Sequence, residues 1–509
     1  MKDTIVLFAP DAKGQYTIPP YALLYLERAV RDLNLKVIVL DEAHDTNWKS
    51  EIQKISHRIL IAGVSVILGT QISGAIDFSK AIKTSGNIPI VWGGWFPTWQ
   101  GPLCLKENYV DFVIEGQGEE SFRDLVIWSQ KTGVLKKDLV NTDIIGLSYI
   151  LDNQLYRNRN KTHCGFDKWP PVDYALVDMR RYFTKTHAGK GKTIRYFASE
   201  GCPNLCNFCF MSRSWKGKWY AKPAASVFND LKYFISLDSD ISHVVFEDNN
   251  FFSDKQHVLT LCEGFIKYFP GITWSASAHI GSFLKDYDPH DIQRIRESGC
   301  RSIASGAESG DQHILDQLNK KLLIEETEQF VRIVKGYGIV SCFSFMVMFP
   351  GNPRKDLIMT LKLVMRLIRE DRSFSFFINI YAPAISNNFL HEAMKQGFSL
   401  PEDLNGFAKY RFDPLLMPWI SKKLVNKLRY FTLFYFRYYS RSDQSHNEPH
   451  SGFLKFFLLI SRPLIRFRFL LESTNFCLLG MIYSKCFEAV KSEKTKNNSI
   501  IMQETHNLR

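Results

Sequence analysis

Residues 199–210 read SEGCPNLCNFCF and place three cysteines, Cys202, Cys206 and Cys209, in one short loop. The loop supplies three thiolates rather than four. An iron–sulfur cube of the 4Fe-4S type needs a ligand on each iron, so such a loop leaves one iron open to bind something else. Two blander readings compete with it: three buried thiols, since free cysteine is commonly a small buried hydrophobe, or a zinc site that borrows a histidine as fourth ligand. Gly201, Pro203 and Asn204 shape a loop around the sulfurs.

Outward from the loop, the chain alternates strand and helix from residue 191 to 395. The strands are TIRYFAS ahead of the cysteines, then HVVFEDNNFF, ITWSASAHI, RSIASGAESG, VSCFSFMVMFPG and FSFFINIYAP. Repeated strand–helix units predict a partial β/α barrel with its functional residues at the carboxyl ends of the strands. The cysteine loop follows the first of them, as that rule asks.

The C-x3-C-x2-C spacing, with Phe208 just before the last cysteine, resembles the radical S-adenosylmethionine (radical SAM) superfamily. The resemblance implies a 4Fe-4S cluster on Cys202, Cys206 and Cys209 whose open iron holds S-adenosylmethionine. One electron then cleaves that molecule to methionine and a 5'-deoxyadenosyl radical. It further implies S-adenosylmethionine contacts at Phe208, at Glu247, Asp248 and Asn249 near the methionyl amino group, at Ser277 near the ribose, and at Glu308 near the nucleoside. A carboxylate at a strand end can pair with an ammonium and accept from hydroxyls. The alternative for Glu247 and Asp248 is a solvated turn or a helix cap. PGNPRKD (350–356) resembles the turn after the family's sixth strand.

Residues 1–135 carry a different pattern. Runs rich in Val and Ile, among them TIVLFAP, KVIVLD, ILIAGVSVI, IPIVWGG and VDFVIEG, alternate with helical stretches. Strands buried on both faces and spaced by helices predict a doubly wound parallel sheet, and a ligand lies across the carboxyl ends of such strands. The candidate loops are 9–14, 68–72, 93–98 and 115–118. The sequences SVILGTQISGA, VWGGWFPTWQGP and VDFVIEGQGEESF resemble the cobalamin-binding domain that precedes the barrel in one branch of the superfamily. The resemblance implies cobalamin contacts at Gly69, Thr70, Gln71, Gly93, Gly94, Pro97, Thr98, Glu115 and Gly116. Glycines there permit close backbone approach to a flat macrocycle, although glycines after strands also make ordinary tight turns.

The chain lacks the Asp-x-His-x-x-Gly pattern of proteins that hold cobalamin through a histidine. No histidine lower ligand is therefore expected, and His44, in LDEAHDT, reads as a surface loop or cap residue. Residues 136–190 read as a linker, in which KWPPVDYALVDMRRYF (168–183) resembles the connecting segment of the same branch and Pro170-Pro171 blocks a helix.

At 509 residues with 45% hydrophobic content, the chain is globular and too long for one core. The seven other cysteines, Cys104, Cys164, Cys262, Cys300, Cys342, Cys477 and Cys486, follow no framework spacing, and the amino terminus reads as a first strand rather than a signal peptide. These features predict a reducing cytoplasm.

Residues 396–509 read as a basic, apolar, mainly helical region. From Ser421 onward, 15 Lys and Arg stand against 6 Asp and Glu, an excess of nine within a net charge of +12. The apolar runs LVNKLRYFTLFYFRYY, FLKFFLLISRPLIRFRFLL and NFCLLGMIYSKCFEAV are broken by charges, which favours lying in an interface over spanning it. Peripheral contact of residues 421–509 with the inner face of the membrane is expected, against ordinary helix packing as the alternative; no nucleic-acid partner is expected.

Together the two resemblances imply a cobalamin-dependent radical SAM enzyme that methylates an unactivated carbon of an apolar or lipid-like small molecule and draws on a reducing electron donor. The alternatives are a cyclase or oxidoreductase of the anaerobic ring-forming type, and a non-catalytic cobalamin or metal-binding sensor. Tyr381, His279 and Cys300 are candidates for a general base, each also readable as structural.

Overall fold

The computed structural model describes residues 2–13, 18–132, 136–140, 142–159, 165–185, 191–383, 388–410, 417–436, 452–474, 479–482 and 484. Gly14, Cys164, Cys477, Cys486 and the chain beyond 484 lie outside the described residues.

The first sheet contains β1 (Thr4–Ala9), β2 (Lys36–Asp41), β3 (Ile59–Ser65), β4 (Ile90–Gly93), β5 (Phe112–Ile114), β6 (Leu147–Leu151) and β7 (Gln154–Arg157), in the order β2-β1-β3-β4-β5-β6-β7. The first five strands are parallel, and β6 and β7 add an antiparallel ribbon at the β5 edge. Continuous apolar runs form β1 and β3 because helices cover both faces, and both strands are buried nearly throughout. The strand order reverses between β1 and β3, which places a ligand crevice at their carboxyl ends. The boundary expected at residue 135 falls inside this unit: β6 and β7 belong to its sheet, and they are short strands, β7 largely exposed, with a weaker apolar signal than the runs before them.

Residues 165–185 strap the two halves together. Tyr182 Oη donates to Asp41 in the first sheet at 2.8 Å, and Tyr174 Oη donates to Asp230 in the second half at 2.8 Å. Tyr21, from the helix after β1, donates directly to the Arg195 carbonyl at 2.8 Å.

The second sheet contains β8 (Thr184–Lys185), β9 (Lys192–Tyr196), β12 (Ile241–Phe246), β13 (Thr273–Ser277), β14 (Cys300–Glu308), β15 (Val340–Val347) and β16 (Ser375–Ile380), while β10 (Ser199–Gly201) and β11 (Trp219–Ala221) form a separate hairpin. Strands β9 and β12 to β16 run parallel in sequence order, and β8 pairs antiparallel with β9. This is the partial barrel. Alternation along β13 and β15 buries Trp274, Ala276, Phe343 and Phe345 beneath the outer helices and turns Ser275, Ser277 and Ser344 to the concave face.

The C-terminal region is helical where described: Lys422–Tyr430, a π-helical turn over Phe431–Phe436, and Gly452–Leu470. These elements pack on the outside of the barrel, whereas the earlier helix Leu404–Lys409 packs on the first sheet's unit, Phe407 meeting Phe96 at 5.2 Å. Phe376 of β16 meets Phe436 edge-on at 5.2 Å, and Phe436 meets Phe469 at 6.1 Å. Among the described residues no helix is long and apolar enough to cross a membrane.

Candidate active site

The cysteine loop is built by the β10–β11 hairpin. Gly201 has φ +86°, and a Cβ there would overlap the Lys218 carbonyl oxygen, which instead accepts the Cys202 N–H at 3.1 Å. Only glycine permits that turn. Ser212, in the short helix Phe210–Trp215, donates to the carbonyls of Cys206 and Cys209, at 2.7 Å in each case. A second anchor comes from residues 317–319: Asn207 N–H donates to the Leu318 carbonyl and Asn319 to the Leu205 carbonyl, both at 2.9 Å.

All three cysteines open into one cavity of 360 Å³ at the carboxyl ends of the barrel strands. Its wall includes Phe208, Asn249, Ser277, Gly306, Glu308 and Lys320. Burial pushes the Cys206 thiol up to about 11 and raises Cys209 as well. His279, the histidine on that wall, has both ring nitrogens hydrogen-bonded, so no imidazole is free there to complete a zinc tetrahedron, and three thiols on one wall fit a cluster held by three cysteines. Among the described residues, the tight acidic group Asp288, His290 and Asp291 is a helix capping box, with Lys255 against Asp291 at 2.5 Å.

The expected S-adenosylmethionine contacts divide. Phe208, Asn249, Ser277 and Glu308 line the cavity. Glu247 does not: its carboxylate pairs with Arg195 on β9. Asp248 is turned under the hairpin, where it accepts from Ala198 N–H at 3.1 Å and from the Ser199 hydroxyl; burial raises it to about 6. Successive residues at a strand end point to opposite sides, so a consecutive trio cannot all face one ligand.

Glu308 sits at φ +61° at a break in the β14–β15 register, a strained conformation for a residue with a Cβ. Its side chain folds back over Gly306, where a Cβ would collide with it, and meets Lys320 Nζ at 2.9 Å. Lys320 is almost fully buried. Burial works against its charge, but Glu308 and the Cys206 sulfur outweigh that cost and raise its pKa. Sequence reading missed Lys320. The signal was a lysine twelve residues after Glu308 across one short helix, visible only once that helix returns the chain to the cavity.

None of the three candidate bases has the geometry of one. His279 lines the cavity, but its Nε2 donates to the Lys320 carbonyl at 2.8 Å and its Nδ1 accepts the Ser282 N–H at 3.3 Å. Cys300 is fully buried beneath the sheet, and Tyr381 is buried against Phe349, ring centroids 4.4 Å apart.

In the first sheet, the loops after β1, β3, β4 and β5 converge. Gln71 accepts Ile67 N–H and donates to the Pro10 carbonyl, both at 3.0 Å. Thr98 donates to the Gly94 carbonyl at 2.7 Å and accepts Gly116 N–H at 2.9 Å. Gly94, at φ +100°, lies so close to Val66 that a Cβ would meet its carbonyl oxygen at 2.7 Å, whereas Gly69 and Gly116, at φ +66° and +83°, face open space. That open shelf is what a flat macrocycle requires. Thr70 starts the following helix, Gly93 ends β4, and Pro97 is buried in the first turn after Gly94. Glu115 is turned away, held by Arg157 at 2.6 Å and by Ser148 at 3.0 Å. No histidine lies in the loops at residues 67–71, 93–98 or 115–118. His44 sits in the turn after β2, edge-on to Tyr182 at 4.8 Å. Trp95 projects from the shelf and stacks on Phe210, beside Cys209.

Comparison with known proteins places this geometry. Residues 196–364 match the Radical SAM superfamily and residues 11–126 match the B12 binding domain. The chain is 25% identical over 387 residues to an uncharacterized methyltransferase of Pyrococcus horikoshii, covering 74% of this chain and 80% of that one. It is 24% identical over 354 residues to an anaerobic magnesium-protoporphyrin IX monomethyl ester cyclase of Rubrivivax gelatinosus, covering 68% of this chain and 61% of the relative. Its fold is shared with the radical S-adenosylmethionine methyltransferase TsrM of Kitasatospora setae, solved with cobalamin and a [4Fe-4S] cluster bound: TM-score 0.59, 17% identity, 75% of this chain and 73% of that one.

Proposed function

We propose that the chain, whose residues 196–364 match the Radical SAM superfamily and whose residues 11–126 match the B12 binding domain, is a cobalamin-dependent methyltransferase acting on an unactivated carbon of a small, predominantly apolar molecule. The observation that carries this reading is the meeting of the two half-sites at Trp95 and Phe210, which sets the glycine shelf against the cysteine loop.

When bound, the cluster with S-adenosylmethionine supplies one-electron chemistry and cobalamin supplies a methyl group; the hard chemistry is theirs. The chain's residues bind and orient. Cys202, Cys206 and Cys209 would hold the cluster, and the loops that carry Gly69 and Gly116 would receive cobalamin. Lys320 offers a buried cation to a carboxylate, Asn249 and Ser277 offer hydrogen bonds, and Glu308 keeps Lys320 in place. Phe208, Met211, Ala304 and Phe377 give the cavity its apolar wall, which supports an apolar substrate. A reducing partner protein or small reductant would deliver the electron.

The test is anaerobic reconstitution with iron, sulfide and cobalamin, followed by reduction with S-adenosylmethionine and mass spectrometry. 5'-Deoxyadenosine from the wild type and none from a Cys202→Ala/Cys206→Ala/Cys209→Ala variant is the expected result. A methylated product from a supplied substrate supports methyl transfer; a cyclised or oxidised product supports the ring-forming alternative. Zinc in place of iron, with no cleavage, would leave a binding protein.

A further inference from the structure

From Ile460 onward the helix Gly452–Leu470 packs by one face and, among the described residues, leaves the opposite face exposed. Ser461, Ile465 and Phe469 are buried against the body. Ile460, Leu464, Phe467 and Leu471 are each more than half exposed, at 56%, 59%, 60% and 58%. Their spacing of four, three and four residues puts them in one narrow stripe along the helix. Exposed large apolar residues scattered singly are ordinary, but four in a continuous row are not.

The charges around the stripe have one sign. Glu472 is the only carboxylate between residues 452 and 474, and it is turned inward, to Arg369 at 2.5 Å and Arg366 at 3.4 Å on the helix Pro353–Glu370. Arg466 is exposed beside the stripe, whereas Arg468 is drawn onto the Tyr435 ring at 4.4 Å. Where described, the segment thus shows water an apolar ridge and the Arg466 charge, while its one carboxylate, Glu472, is engaged by Arg366 and Arg369. That combination fits an interface of acyl chains beneath anionic headgroups.

We propose that this helix docks the protein onto an anionic lipid surface through Ile460, Leu464, Phe467 and Leu471, with Arg466 at headgroup level. The docking face is tied to the cavity by a short packing path. Phe469 contacts Phe436, Phe436 contacts Phe376 of β16, and the next residue of that strand, Phe377, lines the cavity.

The experiment is flotation of the full-length protein with vesicles of phosphatidylcholine alone and with about a third phosphatidylglycerol, compared with a Leu464→Glu/Phe467→Glu variant. Both positions are exposed, so the variant's iron content and circular dichroism should match the wild type. The wild type is expected to float with anionic vesicles only, and less so at about 0.5 M salt, where charge interactions reach only a few ångströms. The variant should lose about tenfold or more of that binding. Three results would overturn the proposal: equal flotation of the two proteins, equal flotation with neutral vesicles, or no flotation. If sedimentation shows a wild-type dimer that the variant abolishes without any lipid binding, the stripe is an interface between copies. If only a variant truncated after Ser484 floats, residues 485–509 cover the stripe, and the docking assignment also fails.

Discussion

Trp95 of the first sheet's loops stacks on Phe210 of the barrel, ring centroids 5.4 Å apart and planes 26° from parallel, and Phe210 follows Cys209 directly. The contact joins the loops of the first sheet to the cysteine loop at its last cysteine. Stacked aromatic pairs contribute about 0.5–1.5 kcal/mol beyond area burial, and Trp95 remains 46% exposed. Trp95→Ala should therefore leave iron content and the thermal midpoint near wild type. Cleavage of S-adenosylmethionine should persist while methylated product falls by about tenfold, as expected when two reacting groups lose alignment. Quantifying 5'-deoxyadenosine and methylated product in one reaction separates the two effects.

Two glycines of the shelf should respond differently to alanine. Gly94→Ala forces a Cβ against the Val66 carbonyl, so the loops after β3 and β4 must part, at a cost of about 2–4 kcal/mol. Gly69→Ala meets open space and bears only the positive φ, about 1–2 kcal/mol. The second variant should fold well yet bind cobalamin more weakly, because its methyl group occupies the shelf. Equilibrium dialysis with hydroxocobalamin, alongside urea denaturation, checks both.

Lys320→Met leaves Glu308 as an unpaired buried carboxylate, and breaking a buried pair from one side costs about 3–5 kcal/mol. Adding Glu308→Gln should recover much of that stability without restoring S-adenosylmethionine binding. Stability from denaturation and affinity from dialysis should thus come apart in the double variant. A double variant that regains affinity would assign recognition to other residues.

Asp356 accepts from Met348 N–H and Ser309 Oγ, both at 2.6 Å, and joins the ends of β15 and β14. Burial raises it to about 6. A carboxyl whose folded pKa lies above its unfolded value binds more protons when folded, so its stabilising contribution is complete below the unfolded pKa and is lost as pH rises through about 6. Each tenfold difference in proton affinity between the folded and unfolded chain is worth about 1.4 kcal/mol, so the loss reaches about 3 kcal/mol between about pH 4 and about pH 6. Asp356→Asn lacks this dependence. The stability of the variant minus that of the wild type should grow with rising pH, and chemical denaturation at several pH values across that range will show whether it does.

The two sheets were legible because each strand kind leaves its own mark: unbroken Val and Ile runs where helices cover both faces, and alternation where one face turns to a cavity. The cysteine loop was legible because its three thiols, which open into one cavity, are neighbours in sequence. Lys320 was not, since its role depends on a helix that carries it back beneath Cys206. Sequence alone assigns Glu247 and Asp248 to the cavity, but a strand end divides neighbouring side chains between two sides, and Arg195 and Ser199 claim them. Tail basicity was plain in composition; which face it leaves bare depended on where Ile465 and Phe469 found cover.

The first sheet is complete within residues 4–157, because the β6–β7 ribbon returns to pair with β5 rather than with anything downstream. A chain made from its amino terminus can therefore finish that sheet while the cysteine loop is still unsynthesised. Biogenesis then has a natural order. The loop would emerge beside a sheet whose pairing is already closed, with Leu404 and Phe407, which share that unit's core, still to come.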